Sequence, residues 1–226
     1  MWIEYLNRVL GVIIGFCIIA TFIVSVPLRK VMPRLFYGSL VALLLVIFQG
    51  WLGSVVVESE LMPGMITLHM LLAMLLLSLL ISLQAWSSAA PKGSILPGAK
   101  FLYALLILQV ILGTQVREKV DEFTKEPEGI ARENWLDHAG WVDHVHRPLS
   151  LLVLAVSVFF LVMARQRREP TRLPMWIFAA VLGQVALGLV LAYMGLPPWS
   201  QTAHLVLGAG LLCLSYRAGW HPTLSA

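Results

Sequence analysis

Charged residues are scarce in this chain, and their scarcity excludes a water-soluble globular protein. Only 12% of the 226 residues are Asp, Glu, Lys or Arg, whereas a soluble domain carries about 25%. The hydrophobic fraction is 59% and the mean hydropathy is +0.84. This composition suits a lipid environment, and we therefore expect an integral membrane protein.

Cysteine is also rare, and this excludes a disulfide framework. Cys17 and Cys213 both lie inside apolar runs, so they give no information about the redox compartment. The net charge of +4 is no sign of a nucleic-acid partner, because the basic residues follow the ends of apolar runs. We expect no nucleic-acid binding.

Long apolar runs occupy most of the sequence, and runs of 18 or more residues are typical of membrane-spanning helices. A helix satisfies its own backbone hydrogen bonds in lipid, and the alternation of a barrel strand is absent. The first run is too long for a signal peptide and lacks a basic leader. We predict an all-α polytopic membrane protein with seven transmembrane helices, at about 7–27, 35–57, 65–86, 99–116, 147–164, 174–194 and 201–217.

Basic and acidic residues segregate into alternate connections between these runs. Arg29, Lys30 and Arg34 follow the first run, and four arginines follow the fifth. Nearly all acidic residues fall in the other connections. The positive-inside rule therefore predicts an outer N-terminus and a cytoplasmic C-terminus.

A spaced pattern of Gln, Gly and His occurs twice. Gln precedes Gly by four residues and His by twenty, with a proline-containing turn before the histidine. The two copies are Gln49, Gly53 and His69, and then Gln184, Gly188 and His204. A third Gln-x3-Gly step lies at Gln109 and Gly113.

Spans five to seven thus repeat spans one to three, and Asn7-Arg8 corresponds to His146-Arg147. Span four has no counterpart. We predict a pseudo-repeat of two four-helix bundles with the first bundle one helix short, in domains 1–86 and 99–226. The missing helix either precedes Met1 or comes from elsewhere.

The histidines His69, His146 and His204 lie near the outer ends of spans. Pro148 suits a first helical turn, and Ser200 is a plausible N-cap that puts His204 roughly 6 Å into its helix. His146 and His204 then share a leaflet and a bundle, where facing histidines commonly hold haem iron. The alternative is that each is an interfacial polar residue.

Other polar residues near these positions leave alternatives open. Arg8 and Arg147 could pair with haem propionates, or they could reach lipid headgroups. His138 and His144 could form a loop metal site with Asp143, although a plain loop role is the simpler interpretation.

Six motifs follow one another along the chain: "WIEYLNRVLG", "FQGWLG", "TLHMLLA", "LQVILGTQVRE", "HVHRPLS" and "TAHLVLGA". This ordered set resembles the haem A synthase family over essentially the whole chain, beginning at the second of the usual eight helices. The resemblance implies two four-helix halves with haem pockets toward the outer face. It also implies oxidation of the C8 methyl of haem O to a formyl group, with oxygen from water, to give haem A for cytochrome oxidase.

The resemblance also implies residue roles. His146 and His204 match the ligands of a resident haem b, which would act as an electron relay. His69 matches one histidine of the substrate pocket, and Asn7 stands where that pocket usually has its second. Glu4 matches the catalytic acid of the Glu-x-x-His-Arg motif. The first helix, its outer loop and the paired loop cysteines of some members are missing.

The implied partners are a haem O synthase as supplier, cytochrome oxidase or its assembly factors as recipient, an unidentified electron acceptor and membrane lipid. The implied location is a bacterial inner (cytoplasmic) membrane. Two other functions stay open. One is a non-catalytic haem-b subunit for electron transfer or assembly, favoured by Asn7 and the missing helix. The other is a transporter-like bundle without cofactor.

Overall fold

The computed structural model describes residues 2–59, 62, 64–88, 98–125 and 131–221, and its long elements are all helices. Within these ranges there are seven α-helices and no strand. Two short 3-10 helices lie at Val26–Leu28 and Arg132–Asn134. The α-helices are α1 (Trp2–Ser25), α2 (Pro33–Glu58), α3 (Met65–Ser87), α4 (Ala99–Lys125), α5 (Trp141–Gln166), α6 (Arg172–Tyr193) and α7 (Pro198–Trp220).

Six of these helices, α1 to α6, are long and apolar enough to cross a membrane. The helix α7 has 23 residues but falls outside that set, since its first turns carry Gln201, Thr202 and His204. The chain is therefore an all-helical integral membrane protein.

Two details of the predicted helix starts are wrong. Helix α5 begins at Trp141, six residues before the apolar run at 147, so Pro148 lies inside the helix and not in its first turn. Pro197 is the N-cap of α7, and the Ser200 hydroxyl donates to the Pro197 carbonyl at 2.8 Å. Hydropathy locates the lipid-facing run, whereas a helix continues beyond it as long as its backbone bonds are satisfied.

The chain divides into two compact units, and we call Met1–Ala89 unit 1. Its helix α2 packs against both α1 and α3. The core of unit 1 contains Ile18, Ala42, Leu76 and Leu83. A Cβ on Gly38 would lie 2.8 Å from the Leu83 side chain, so glycine is what permits α2 and α3 to approach there.

Unit 2 is Ala90–Ala226, and its four helices form a closed ring. Each helix packs against the next, and α7 packs back against α4. The helices α5 and α7 are therefore diagonal across the bundle, as are α4 and α6. Phe160, Ile177, Val181 and Leu211 are almost fully buried between them. The described part of unit 1 has three helices where unit 2 has four.

One end of unit 2 is covered by a small apolar cluster, which we call the cap: Val120, Trp135, Leu136 and Leu196. The Arg132 guanidinium donates to the Leu196 carbonyl at 3.0 Å. The cap joins the end of α4 to the segment before α5 and to the turn between α6 and α7. All four of its residues are buried, with exposures of 5–8%.

Candidate functional site

Three histidines lie in the first two turns of their helices. His69 is the fifth residue of α3, His146 the sixth of α5 and His204 the seventh of α7. All three are half-buried. The Nδ1 atom of each imidazole is buried and finds no hydrogen-bond partner among the described residues. We call the end of each unit that carries these residues its histidine end.

A glycine on the neighbouring helix lies beside each imidazole. A Cβ on Gly53 would lie 3.4 Å from Cε1 of His69, and one on Gly113 would lie 3.3 Å from Cε1 of His146. The corresponding distance from Gly188 to His204 is 3.8 Å. The glycines thus form shallow recesses for the rings, and the first two would be crowded by any side chain.

The glutamine one turn before each glycine reaches the same histidine residue in two of the three cases. Nε2 of Gln49 donates to the His69 carbonyl at 3.1 Å, and Nε2 of Gln109 donates to the His146 carbonyl at 3.2 Å. The sequence pattern predicted the spacing but not this bond. The sequence does carry a signal for this bond, because Gln and Gly share one face of a helix and His lies on the next helix.

In the third copy, the glutamine amide contacts a different residue of the helix that carries the histidine. The amide of Gln184 lies against Gly208, one turn along α7 from His204, where a Cβ would lie 2.5 Å from the amide nitrogen. The Oε1 atoms of Gln49, Gln109 and Gln184 are all buried and unpartnered within the described residues. Each histidine is therefore accompanied by a buried amide oxygen that lacks a donor.

The structure brings His146 and His204 together in unit 2. They lie on the diagonal helices α5 and α7, each within the first two turns of its helix, and the cap joins the starts of both helices at the same end of the bundle. Two imidazoles on facing helices of a four-helix bundle are a common iron-ligand set. The unpartnered Nδ1 atoms also fit a ligand role, because a ligating histidine leaves one ring nitrogen in need of a partner. The glycine recesses fit this role as well, since they make room for the rings. These residues therefore fit a haem iron.

The predicted substrate-side residues lie on two helices of unit 1, α1 and α3. Asn7 and Arg8 are exposed residues of α1, whereas His69 is on α3 and faces Gly53 of α2. The helices α1 and α3 flank α2 as α5 and α7 flank α6. Glu4 lies in the first turn of α1, but its side chain is outside the described part of the chain.

Arg147 has a protein partner that the sequence interpretation missed. Its guanidinium lies 2.7 Å from the carboxylate of Asp143, whose side chain is only 5% exposed. The signal was present, since Asp143 precedes Arg147 by the same four residues as Glu4 precedes Arg8. Both units thus carry an acid and an arginine one turn apart.

The loop metal site suggested for His138, His144 and Asp143 is not formed among the described residues, which contain no metal-binding group of three or more His, Cys, Asp or Glu. Nδ1 of His138 bonds to the Asn134 carbonyl at 2.8 Å. His144 is exposed, and Asp143 is held by Arg147.

The chain is similar to three curated proteins named Heme A synthase. Those of Methylobacterium radiotolerans and Methylorubrum populi are 28% identical, and one from Methylorubrum extorquens is 27% identical. The alignments cover 94–95% of this chain but 64–66% of the relatives, so the chain spans just under two thirds of their length. No solved structure matches significantly. The profile of the COX15-CtaA family, described as cytochrome oxidase assembly protein, matches residues 1–216, and the chain belongs to this family.

Proposed function

We propose that the protein is a haem A synthase, which oxidises the C8 methyl group of haem O to a formyl group. The observation that carries this proposal is the pair His146 and His204 on diagonal helices of unit 2, with a glycine recess at each ring. The family match and the relatives named Heme A synthase support the same function.

In this proposal unit 2 holds a resident haem b between His146 and His204. When bound there, haem b would supply one-electron redox chemistry. The two helices position the imidazoles, and the cap, with Trp135 and Leu196 buried in it, excludes water from the bundle interior. Arg147 sits nearly two turns into α5, and Asp143 partly balances its charge, so its guanidinium would offer a haem propionate hydrogen-bond donors with a reduced excess of charge.

Unit 1 would receive haem O as substrate. His69 is its one imidazole ligand candidate, because the amide of Asn7 does not bind iron as an imidazole does. A single strong ligand leaves the other side of the substrate iron accessible. Arg8, next to Asn7, would orient an acidic group of the substrate.

The conversion is a four-electron oxidation in which water supplies the oxygen: RCH3 + H2O gives RCHO, four protons and four electrons. The four electrons need an acceptor, and haem b held by His146 and His204 would supply the one-electron chemistry. The four protons need a base near the methyl group. Glu4 is the proposed base, since a carboxylate accepts protons effectively when it is positioned at the reacting group.

We also propose an internal repeat and a membrane topology for the chain. The two units are a pseudo-repeat, as domains 1–86 and 99–226, and α7 is a seventh span packed on α4 and α6. The N-terminus and both histidine ends face outward from the cytoplasm, and the membrane is a bacterial inner membrane. Haem O would come from a haem O synthase, and haem A would pass to cytochrome oxidase or its assembly factors.

The proposal is tested by adding haem O to membranes that contain the full chain and identifying extracted haems by chromatography and mass spectrometry. We expect haem A to accumulate, with its precursor alcohol as an earlier product. Haem O that stays unchanged, while an eight-helix relative converts it in parallel, would exclude the proposed reaction.

The second candidate function is a non-catalytic haem-b subunit for electron transfer or oxidase assembly. Asn7, which stands where unit 2 has His146, favours it. Haem content separates the two functions. A pyridine haemochrome assay in the presence of haem O should give two haems per chain for the enzyme and one for the subunit.

A further inference from the structure

We propose that Gln109 is a positioning residue whose amide fixes both the backbone and the imidazole of His146, and that Gln49 does the same for His69. This inference rests on the proposed function, since it concerns how the histidines are prepared to bind iron. It assigns to the glutamines a role that is separate from iron ligation itself.

The first observation is the orientation of the amide. Nε2 of Gln109 donates to the His146 carbonyl at 3.2 Å, so the amide nitrogen must face the backbone of the histidine. Oε1 is consequently the atom left over, and it can only accept a hydrogen bond. The same orientation holds for Gln49 and the His69 carbonyl at 3.1 Å.

The second observation concerns buried polar atoms that lack a hydrogen-bond partner. The buried side-chain atoms without a partner, within the described residues, include Oε1 of the glutamine and Nδ1 of the histidine in all three Gln–His pairs. One atom of each pair is an acceptor, and the other becomes a donor when Nδ1 carries the proton. Buried polar groups that persist in an apolar span are expensive, and they are expected to have a function.

Iron binding supplies the reason for the arrangement. A histidine that ligates through Nε2 carries its proton on Nδ1, and ligating histidines almost always donate that proton to a neighbouring acceptor. Gly113 presents no Cβ beside Cε1 of His146, so the ring has room to turn there. In this proposal Nδ1–H of His146 donates to Oε1 of Gln109 in the iron-bound protein. The bond would fix the tautomer and increase the basicity of the ligating nitrogen.

The test replaces Gln109 by leucine in the full-length protein loaded with haem. We expect haem transfer to apomyoglobin to become about 10-fold to 100-fold faster, in line with the loss of other partners of metal ligands. We also expect a higher haem midpoint potential, because the imidazole becomes a weaker donor to ferric iron. A transfer rate and a potential equal to those of the wild type would overturn the proposal.

A second variant, Gln109→Glu, separates positioning from packing. Its carboxylate keeps an acceptor for Nδ1–H, so the potential should shift below the wild-type value, opposite to the leucine variant. If Gln109→Leu retains no haem, the glutamate variant alone decides, and a wild-type potential in it contradicts the proposal.

The matched control is Gln166→Leu, a change at the exposed glutamine that ends α5, which should leave the spectrum and potential of the haem in unit 2 unchanged. Haem binding by the wild type distinguishes a failure of the proposed function from a failure of this inference alone. If it binds no six-coordinate haem, the proposed function fails and this inference fails with it. If it binds the haem and Gln109→Leu changes nothing, the positioning role alone fails.

Discussion

At the residue scale, the glycines beside the histidines determine how close each ring comes to the neighbouring helix. A Cβ at Gly113 would lie 3.3 Å from His146, closer than ordinary contact, whereas one at Gly188 would lie 3.8 Å from His204. We expect Gly113→Ala to displace His146 and to reduce the low-spin haem absorption of purified protein. Gly188→Ala is the matched control and should retain it.

Both alanine variants gain up to about 1 kcal/mol of intrinsic helix propensity. Loss of haem in Gly113→Ala alone would therefore reflect the recess and not the stability of a helix. Equal haem loss in the two variants would contradict the role of the recess.

The ion pair of Asp143 and Arg147 is asymmetric, because the Asp143 side chain is 5% exposed and that of Arg147 is 40% exposed. Arg147→Ala leaves a buried carboxylate without its partner, whereas Asp143→Ala leaves an arginine that reaches solvent. We expect Arg147→Ala to lower the free energy of unfolding by about 1–2 kcal/mol more than Asp143→Ala. Thermal unfolding in detergent, followed by circular dichroism, measures the difference.

Lys119→Ala is a suitable reference for this comparison. Lys119 and Glu122 form an ion pair in which both side chains are about half exposed. The variant should change stability by less than about 0.5 kcal/mol. If Asp143→Ala proves more damaging than Arg147→Ala, the acid has a role beyond its partner.

The sequence identified individual residues of the site better than their contacts. The spacing of Gln, Gly and His predicted which helices carry them, since helical periodicity follows directly from the sequence. The bond from Gln109 to the His146 carbonyl depends on how two helices pack, and spacing along one helix does not determine that. The pairing of Arg147 was missed because a haem propionate and Asp143 are both chemically suitable partners.

At the scale of elements, we expect the cap to limit the access of water to the interior of unit 2. Trp135 is 8% exposed and packs with Leu196, whose carbonyl is held by Arg132. We expect Trp135→Ala to destabilise unit 2 by about 3 kcal/mol. It should also accelerate reduction of the bound haem by dithionite, measured by stopped flow.

Trp176→Ala is the control for this prediction. Trp176 lies on α6 with 65% of its surface exposed, so its removal should leave the reduction rate unchanged. A similar acceleration in both variants would mean that the cap does not control access.

Element boundaries were predictable only where apolar runs coincide with helices. The start of α3 at Met65 agrees with the predicted run because Gly64, with a φ of 84°, precedes it. The start of α5 does not agree, since its first turns include Asp143, His144 and Arg147, whose polarity hides the helix from a hydropathy criterion.

At the scale of the whole molecule, we propose that unit 1 receives the substrate and that unit 2 holds haem b. Glu4→Gln should leave the haem spectrum of unit 2 intact while slowing conversion of haem O by about 100-fold or more, the usual contribution of a positioned base. Haem A formation in membranes and the optical spectrum are measured on the same sample. Unchanged turnover would remove Glu4 from the chemistry.

The most direct test of the central claim is the low-temperature electron paramagnetic resonance spectrum of the purified protein and two variants. The claim is that His146 and His204 together hold one six-coordinate haem iron. We expect a low-spin ferric signal in the wild type and in His69→Ala, and its loss in His204→Ala, where one imidazole cannot keep the iron six-coordinate. A low-spin signal that persists unchanged in His204→Ala would show that His204 is not a ligand of this iron.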